Sequence, residues 1–357
     1  SMRGLSYGFS ILMLYAVCML SITANDIPSF FHVWPRLGTF VLLTSVVSFA
    51  LCCEGAVAFR VRLFASISKL LMLVTFLSFC LLLFGGGYDV RGAWFQGVTV
   101  HSMIMGPVAT MSCLCCLYQL QYEQSRIWMK WAYYALILMG FICILQTGSR
   151  SALIGAMMSF LCFMYFLNKN EFYVLIKKYI LIVLVLVVSA PIWWVYTDKV
   201  AEKNKGDVGL NTDSREEHWH QRVEEWKSSP IIGIGFGTVE TSAKEGASFD
   251  ENTGGVETGN SWLCALSMTG ILGFGCVLVI FWGAYRKLLW LLDYSRPIAS
   301  YLMAIMVFFV FHMMAEGYIF AGGNFLNTQM WLVIGTIYGI AYIPEYADIL
   351  EQKLQLH

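Results

Sequence analysis

The chain has 357 residues, of which 58% are hydrophobic and only 13% are charged. Because a soluble globular domain carries about 25% charged residues, this composition excludes a soluble protein and indicates a polytopic membrane protein in a lipid bilayer. The 23 basic and 23 acidic side chains balance, so the net charge points to no particular partner, and we expect no nucleic-acid partner. No small-residue cleavage site follows the first apolar run, so we expect no cleavable signal peptide.

Apolar windows long enough to cross a bilayer recur along the whole chain. About ten windows suit a bilayer roughly 30 Å thick; they lie near residues 5–23, 38–55, 66–84, 102–120, 130–147, 151–168, 177–196, 260–283, 299–317 and 325–343. The turn at 147–150 is so short that the fifth and sixth windows should form a helical hairpin. We therefore expect an all-α polytopic fold, with residues 1–357 forming a single integral membrane domain.

The arginines and lysines set the expected orientation, because short inner loops carry an excess of them. With the N-terminus inside, the short outer loops hold only Arg36, Arg91 and Arg150, and the inner segments hold most of the remaining basic residues. Both termini should then lie inside, and the long loop 197–259 between the seventh and eighth helices should lie outside. Arg150, this loop, and the stretches "ETGNSW" and "AEGYIFAGGN" share that face, which predicts a single site there.

The long outer loop contains "TDSREEHWHQRVEEWKSSPIIGIGFG", which predicts a helix. Ser214 and Glu217 have the spacing of a capping box, and the helix should end before Pro230. One narrow stripe of this helix carries Arg215, Trp219, Arg222 and Trp226. Such a stripe is typical both of anchoring at the headgroup level and of ligand binding. "GIGFG" at 233–237 lacks the spacing and context of a nucleotide-binding loop, so its glycines should permit a close turn against the membrane helices.

Acidic residues near the outer face are candidates for the site, since an ionisable group at a membrane boundary is costly unless it is paired or solvated. Glu257 precedes the eighth helix and Glu316 lies near the end of the ninth. His312, one turn from Glu316, fits a proton relay or, more simply, a hydrogen-bonded structural histidine. The eleven cysteines fall in apolar runs and the loop acids lack paired spacing, so we expect no metal site and no cofactor.

Three blocks, in this order, resemble the O-antigen polymerase and ligase superfamily (Wzy and WaaL proteins). The first is "TGSR" followed by a small, apolar helix, 147–160. The second is "SREEHW…SSPIIGIGFG", and the third is "GNSWLCALSMTGILG", 259–273. The blocks and the long outer loop together cover roughly residues 85 to 340, and they are closest to a Wzy-type polysaccharide polymerase.

The resemblance implies a glycosyltransferase of the bacterial inner membrane, GT-C-like, with its site facing the periplasm. Its donor would be an oligosaccharide linked to undecaprenyl diphosphate, and a separate chain-length regulator is an open partner. Arginine gives bidentate, charge-assisted bonds to phosphate. The sequence around Arg150 has no carboxylate to pair with it, and the diphosphate of the substrate would be its anionic partner. The residues expected to bind diphosphate or glycan are Arg150, Arg215, Arg222, Arg91, Trp219 and Asn260. Glu257 is the first choice as general base, and Glu316 the second.

One departure from the family pattern separates two activities. Ligases usually carry His-Asn at the start of the third block, where this chain has Gly259-Asn260. The missing histidine favours a polymerase that joins lipid-linked repeat units. A ligase that moves finished polymer to lipid A core or another acceptor, with Glu257 as the base, is the alternative. A non-catalytic transporter of lipid-linked glycan is a second alternative, although the chain shows no internal repeat.

Overall fold

The helices of this protein follow its apolar runs, because a helix satisfies its own backbone hydrogen bonds where water is absent. The computed structural model describes residues 6–89, 94–121, 127–168, 212–240, 249–250, 255–256 and 259–354. The α-helices of these ranges are α1 (Phe9–Thr23), α2 (Val33–Val47), α3 (Glu54–Leu83), α4 (Ser102–Gln119), α5 (Ile127–Gln146), α6 (Arg150–Leu167), α7 (Thr212–Ser228), α8 (Ser261–Tyr294), α9 (Arg296–His312), α10 (Phe325–Tyr342) and α11 (Glu345–Leu354). Short antiparallel strands pair β1 (Ser6–Tyr7) with β2 (Leu51–Cys52) and β3 (Phe249–Asp250) with β4 (Gly255–Val256).

The all-α prediction is confirmed. Within the described ranges, six helical segments are long and apolar enough to cross a bilayer: Ser29–Val47, Glu54–Leu83, Ser102–Gln119, Ile127–Gln146, Arg150–Leu167 and Ser261–Tyr294. Helices α1 and α9 are apolar but shorter. The seventh predicted window, 177–196, lies outside the described residues, so the total of about ten spans and their orientation stay predictions.

The boundary between the second and third windows was predicted wrongly. Helix α2 ends at Val47 and α3 already begins at Glu54, so the window 38–55 runs across a connection and the window starting at 66 omits residues 54–65 of α3. The cause is Arg60, which lowers the local hydropathy. Its guanidinium is nevertheless buried and donates from Nε to the carbonyl of Val46 and from Nη2 to that of Leu51. Two backbone carbonyls therefore pair with this cation within the fold, while its buried Nη1 has no hydrogen-bond partner among the described residues.

The tight turn at 147–150 is confirmed, but the expected hairpin is not. Helix α5 ends at Gln146, α6 begins at Arg150, and Gly148 between them has a φ of 64°. The two helices then diverge, because α5 packs mainly against α4 and α3, whereas α6 packs mainly against α9. Gly155 permits this close packing, since a Cβ atom there would lie 3.0 Å from the ring of Phe308.

Helix α8 is interrupted at Gly270, whose φ of 61° and ψ of −168° are not helical. The segment 230–235 fills the gap as an inserted turn. The N–H groups of Ile234 and Gly235 donate to the carbonyls of Ser267 and Met268, while Ile271 and Leu272 donate to the carbonyls of Pro230 and Ile231. The backbone N–H and C=O groups that α8 leaves unpaired around Gly270 are therefore hydrogen-bonded by another part of the chain, because buried backbone groups need partners.

Glycines make this backbone contact close. Gly233 has a φ of 74°, and a Cβ atom on it would collide with the backbone of Met268; one on Gly270 would collide with the backbone of Ile231. Asn25, just after α1, donates to the carbonyl of Gly233 over 2.9 Å. The prediction that the glycines of "GIGFG" permit a close turn against the membrane helices is confirmed.

Candidate active site

Helix α7 lies across the start of α8 and carries the predicted loop motif. It spans Thr212–Ser228, so it ends before Pro230 as predicted, but it begins two residues before Ser214, the predicted cap. Trp219 is 38% exposed, and its indole N–H donates to the carbonyl of Gly259 over 3.4 Å. The α7 helix thus contacts the third block directly through this tryptophan.

Arg222, predicted to bind substrate, forms a buried ion pair within α7. Its Nη2 lies 2.8 Å from Oε1 of Glu225, and the two side chains are 0% and 1% exposed. The same carboxylate oxygen accepts the N–H of Glu240 over 2.8 Å, which ties the chain after "GIGFG" back to α7. Burial lowers the pKa of Arg222 and raises the pKa of Glu225, and each partner's charge opposes these shifts. The i,i+3 spacing of Glu225 from Arg222 is a recognised pairing signal in helices.

Asn260 caps the N-terminus of α8. Its side-chain oxygen accepts the N–H groups of Trp262 and Leu263 over 2.9 and 3.1 Å, as an N-cap asparagine does. Its amide nitrogen donates to the carbonyl of Met314 over 2.7 Å. This side chain therefore fixes the start of α8 against the connection that follows α9.

Glu316 lies in that connection, not at the end of a membrane helix as predicted, because α9 ends at His312. The hydroxyl of Ser261 donates to the backbone carbonyl of Glu316 over 2.6 Å. Burial raises the pKa of the Tyr318 hydroxyl, and the negative charge of Glu316 raises it further. His312 is buried, and its Nδ1 lies 3.2 Å from the Tyr318 hydroxyl, which fits a structural histidine.

Arg150 is the exposed first residue of α6, where Ser149 caps the helix by accepting the N–H of Ala152 over 3.3 Å. Among the described residues, no acidic side chain forms an ion pair with it. Gly155, near the start of α6, lies against Phe308, near the end of α9, so the start of α6 lies close to the connection that carries Glu316.

The side chains of three predicted site residues lie outside the described part of the chain. Arg215 lies on α7 one turn before Trp219, and only its backbone is described. Glu257 and Arg91 lie outside the described residues. Glu257 is bracketed by β4 and by Gly259, both of which are described. The structure thus brings together Trp219, Asn260 and the backbone of Glu316, and it buries Arg222 in its ion pair with Glu225.

An open cleft of about 370 Å³ lies beside this cluster. It is formed by the start of α2, the end of "GIGFG", β4, the first turns of α8 and the connection after α9. Arg36 lines it and donates from Nη1 to the carbonyl of Gly237 over 3.1 Å. Arg36 was expected only as a cation of a short outer loop, because nothing in the sequence links position 36 to position 237.

Comparison with known proteins finds one family to which part of the chain is similar. Residues 134–278 match the family model described as O-antigen ligase. The resemblance to the O-antigen polymerase and ligase superfamily is confirmed. No curated protein matches the chain. The superfamily match supports polymerase or ligase activity in a membrane protein with lipid-linked glycan substrates.

The superfamily match covers only part of the site. It includes Arg150, all of α7, Asn260 and the interrupted half of α8. Arg36 and Glu316 lie outside it, and the fold brings their segments against the matched ones. The candidate site is therefore assembled from both parts of the chain.

Proposed function

We propose that this protein is a polysaccharide polymerase of the bacterial inner membrane. It transfers a glycan chain from undecaprenyl diphosphate to a hydroxyl group of another lipid-linked repeat unit, at the periplasmic face, with residues 197–259 as the loop that carries part of the site. The observation that carries the choice of polymerase is Gly259. It stands where ligases carry histidine, and its φ of 60° is a backbone conformation that favours glycine.

In the proposed reaction, the acceptor hydroxyl oxygen attacks the anomeric carbon of the donor sugar. A carboxylate takes the hydroxyl proton, and Glu257 is the first candidate, with Glu316 the second. The bond between the anomeric carbon and the diphosphate oxygen breaks, and the diphosphate leaves with the electron pair. Direct attack inverts the anomeric configuration.

The arginines stabilise the leaving group as its charge develops. Arg150 and Arg215 are the proposed diphosphate ligands, and Arg91 is a further candidate. The exposure of Arg150 at the end of its helix, without an acidic partner among the described residues, supports this role. Because arginines can supply the charge that Mg²⁺ supplies elsewhere, we expect a metal-independent reaction.

The remaining predicted residues have positioning roles in this proposal. Arg222 holds α7 through Glu225, and Asn260 holds the start of α8. Trp219 is partly exposed beside Gly259, where its ring can contact the glycan while its N–H fixes the third block.

The second candidate function is an O-antigen ligase, which the description of the matching family favours. A ligase would use the same donor and the same leaving group but a different acceptor. The two functions differ in what accumulates when the protein is missing.

The test is to delete the gene in its host, extract the undecaprenyl-linked glycans and size them by mass spectrometry. A polymerase predicts a build-up of single repeat units that the wild-type gene reverses and the Arg150→Ala variant does not. Long polymer left on the lipid carrier would instead assign a ligase. Unchanged glycan pools would reject both activities.

A further inference from the structure

The inserted turn that fills the break in α8 carries an exposed apolar side chain. Ile231 is 61% exposed, although its backbone is held against the helix. Its carbonyl accepts the N–H of Leu272 over 3.3 Å, and the preceding carbonyl accepts the N–H of Ile271 over 2.9 Å. Ile271 and Leu272 are exposed as well. The side chains of these three neighbouring residues form a surface at the break, which we call the apolar patch.

The apolar patch continues one side of helix α8. At about 100° per residue, Ile271 shares a helix face with Leu278, Trp282 and Leu289, and all four side chains are exposed. Helix α8 is long and apolar enough to cross a bilayer, so this face contacts acyl chains in a membrane. Because exposing apolar surface to water is unfavourable, lipid that covers the face of α8 also covers the apolar side chain beside it on the inserted turn.

The depth of the apolar patch follows from the length of α8. Aromatic side chains concentrate where a bilayer meets water, and Trp290 and Tyr294 are exposed near the end of this helix. From Ile271 to Trp290 the helix rises about 28 Å, at about 1.5 Å per residue. The hydrocarbon core of a bilayer is roughly 30 Å thick. The apolar patch therefore lies at the opposite edge of the hydrocarbon, where α8 is interrupted.

We propose that the apolar patch inserts into the bilayer, so that Ile231 anchors the loop before α8 among the lipid acyl chains. Helix α7 ends at Ser228, three residues before this anchor, so its C-terminal end is held at the bilayer surface. Residues 261–269 of α8 then lie outside the hydrocarbon, on the same side as Trp219. The anchor does not depend on the proposed polymerase activity, because it requires only that α8 crosses a bilayer.

The test measures how fast a membrane-impermeant polyethylene glycol maleimide labels single added cysteines in the purified full-length protein in lipid nanodiscs. Ile231→Cys should react about tenfold or more slowly than Lys227→Cys, because maleimide attacks the thiolate, which does not form in hydrocarbon. Lys227 is the matched control, since it is exposed and lies four residues earlier. Val279→Cys, on the exposed side of α8, gives the rate for a lipid-covered thiol. All three should react equally in SDS, above the background of the eleven native cysteines.

A second probe identifies what covers the anchor. p-Benzoylphenylalanine in place of Ile231 should give a phospholipid adduct on irradiation, detected by mass spectrometry, and in place of Lys227 it should give none. Labelling of Ile231→Cys as fast as Lys227→Cys, or no lipid adduct at the anchor, would overturn the inference. Protection that disappears when each nanodisc holds a single copy would overturn it in favour of an interface between two copies of the chain.

Discussion

Replacing Gly233 with alanine tests the contact between the inserted turn and the interrupted helix α8. The added Cβ atom would collide with the backbone of Met268, and the φ of 74° would itself be strained. A left-handed conformation costs an L-residue about 1–2 kcal/mol. Displacing the turn also weakens the bonds from Ile234 to Ser267 (2.9 Å) and from Gly235 to Met268 (3.3 Å), which contribute about 0.5–1.5 kcal/mol each. We therefore expect a loss of roughly 2–5 kcal/mol of folding free energy.

The assay is thermal inactivation of the detergent-solubilised protein, followed by the fraction that remains monodisperse on size exclusion. Gly275→Ala is the matched control, because it lies on the same helix and nothing lies within 4 Å of its added Cβ atom. We expect Gly233→Ala to inactivate at a temperature well below that of the wild type, and Gly275→Ala to inactivate at the same temperature as the wild type. Equal midpoints for the two variants would refute the interpretation of segment 230–235 as a structural part of α8.

Three further results are expected from the ion pair and from the proposed catalytic residues. Glu225→Met should destabilise the protein by about 3–5 kcal/mol because it leaves Arg222 buried without its carboxylate, whereas the double variant Arg222→Met/Glu225→Met should be much less destabilised; a loss in the double variant equal to the sum of the two single losses would contradict a coupled pair. Arg150→Ala and Arg215→Ala should each abolish polymer formation while the protein still inserts and purifies, and normal polymer from either variant would remove that arginine from the diphosphate site. Glu257→Gln should reduce turnover about a hundredfold or more, measured on purified lipid-linked repeat units, and full turnover would transfer the role of base to the other candidate carboxylate.

The sequence predicted those parts of the fold that depend on one run of residues. Apolar windows placed α4, α5, α6 and α10 to within a few residues, and turn-forming residues placed the breaks at 147–150 and before Pro230. Hydropathy failed at Arg60, because the carbonyls that pair with this arginine belong to the end of α2 and to β2, outside the helix that carries it. A window average cannot register such a partner.

The candidate site was predicted only where its residues share a motif. The matched region contains Asn260 and Trp219, and the structure brings both to the start of α8. Arg36 was missed because its contact with Gly237 joins positions 201 residues apart. Glu225 was missed because a helical wheel shows which residues share a face of the helix but does not show which face packs against the rest of the protein. Contacts of this kind depend on packing, which a single sequence does not encode locally.

The interruption of α8 has a consequence for how the protein is made. An unsatisfied backbone group in the hydrocarbon region costs several kcal/mol, so the stretch around Gly270 is a poor substrate for membrane insertion by itself. Its partners at positions 230–235 precede it in the chain and leave the ribosome first. Segment 230–235 is therefore synthesised before the helix that requires it. If this loop is replaced by the loop of a relative, α8 must be replaced by the relative's helix as well.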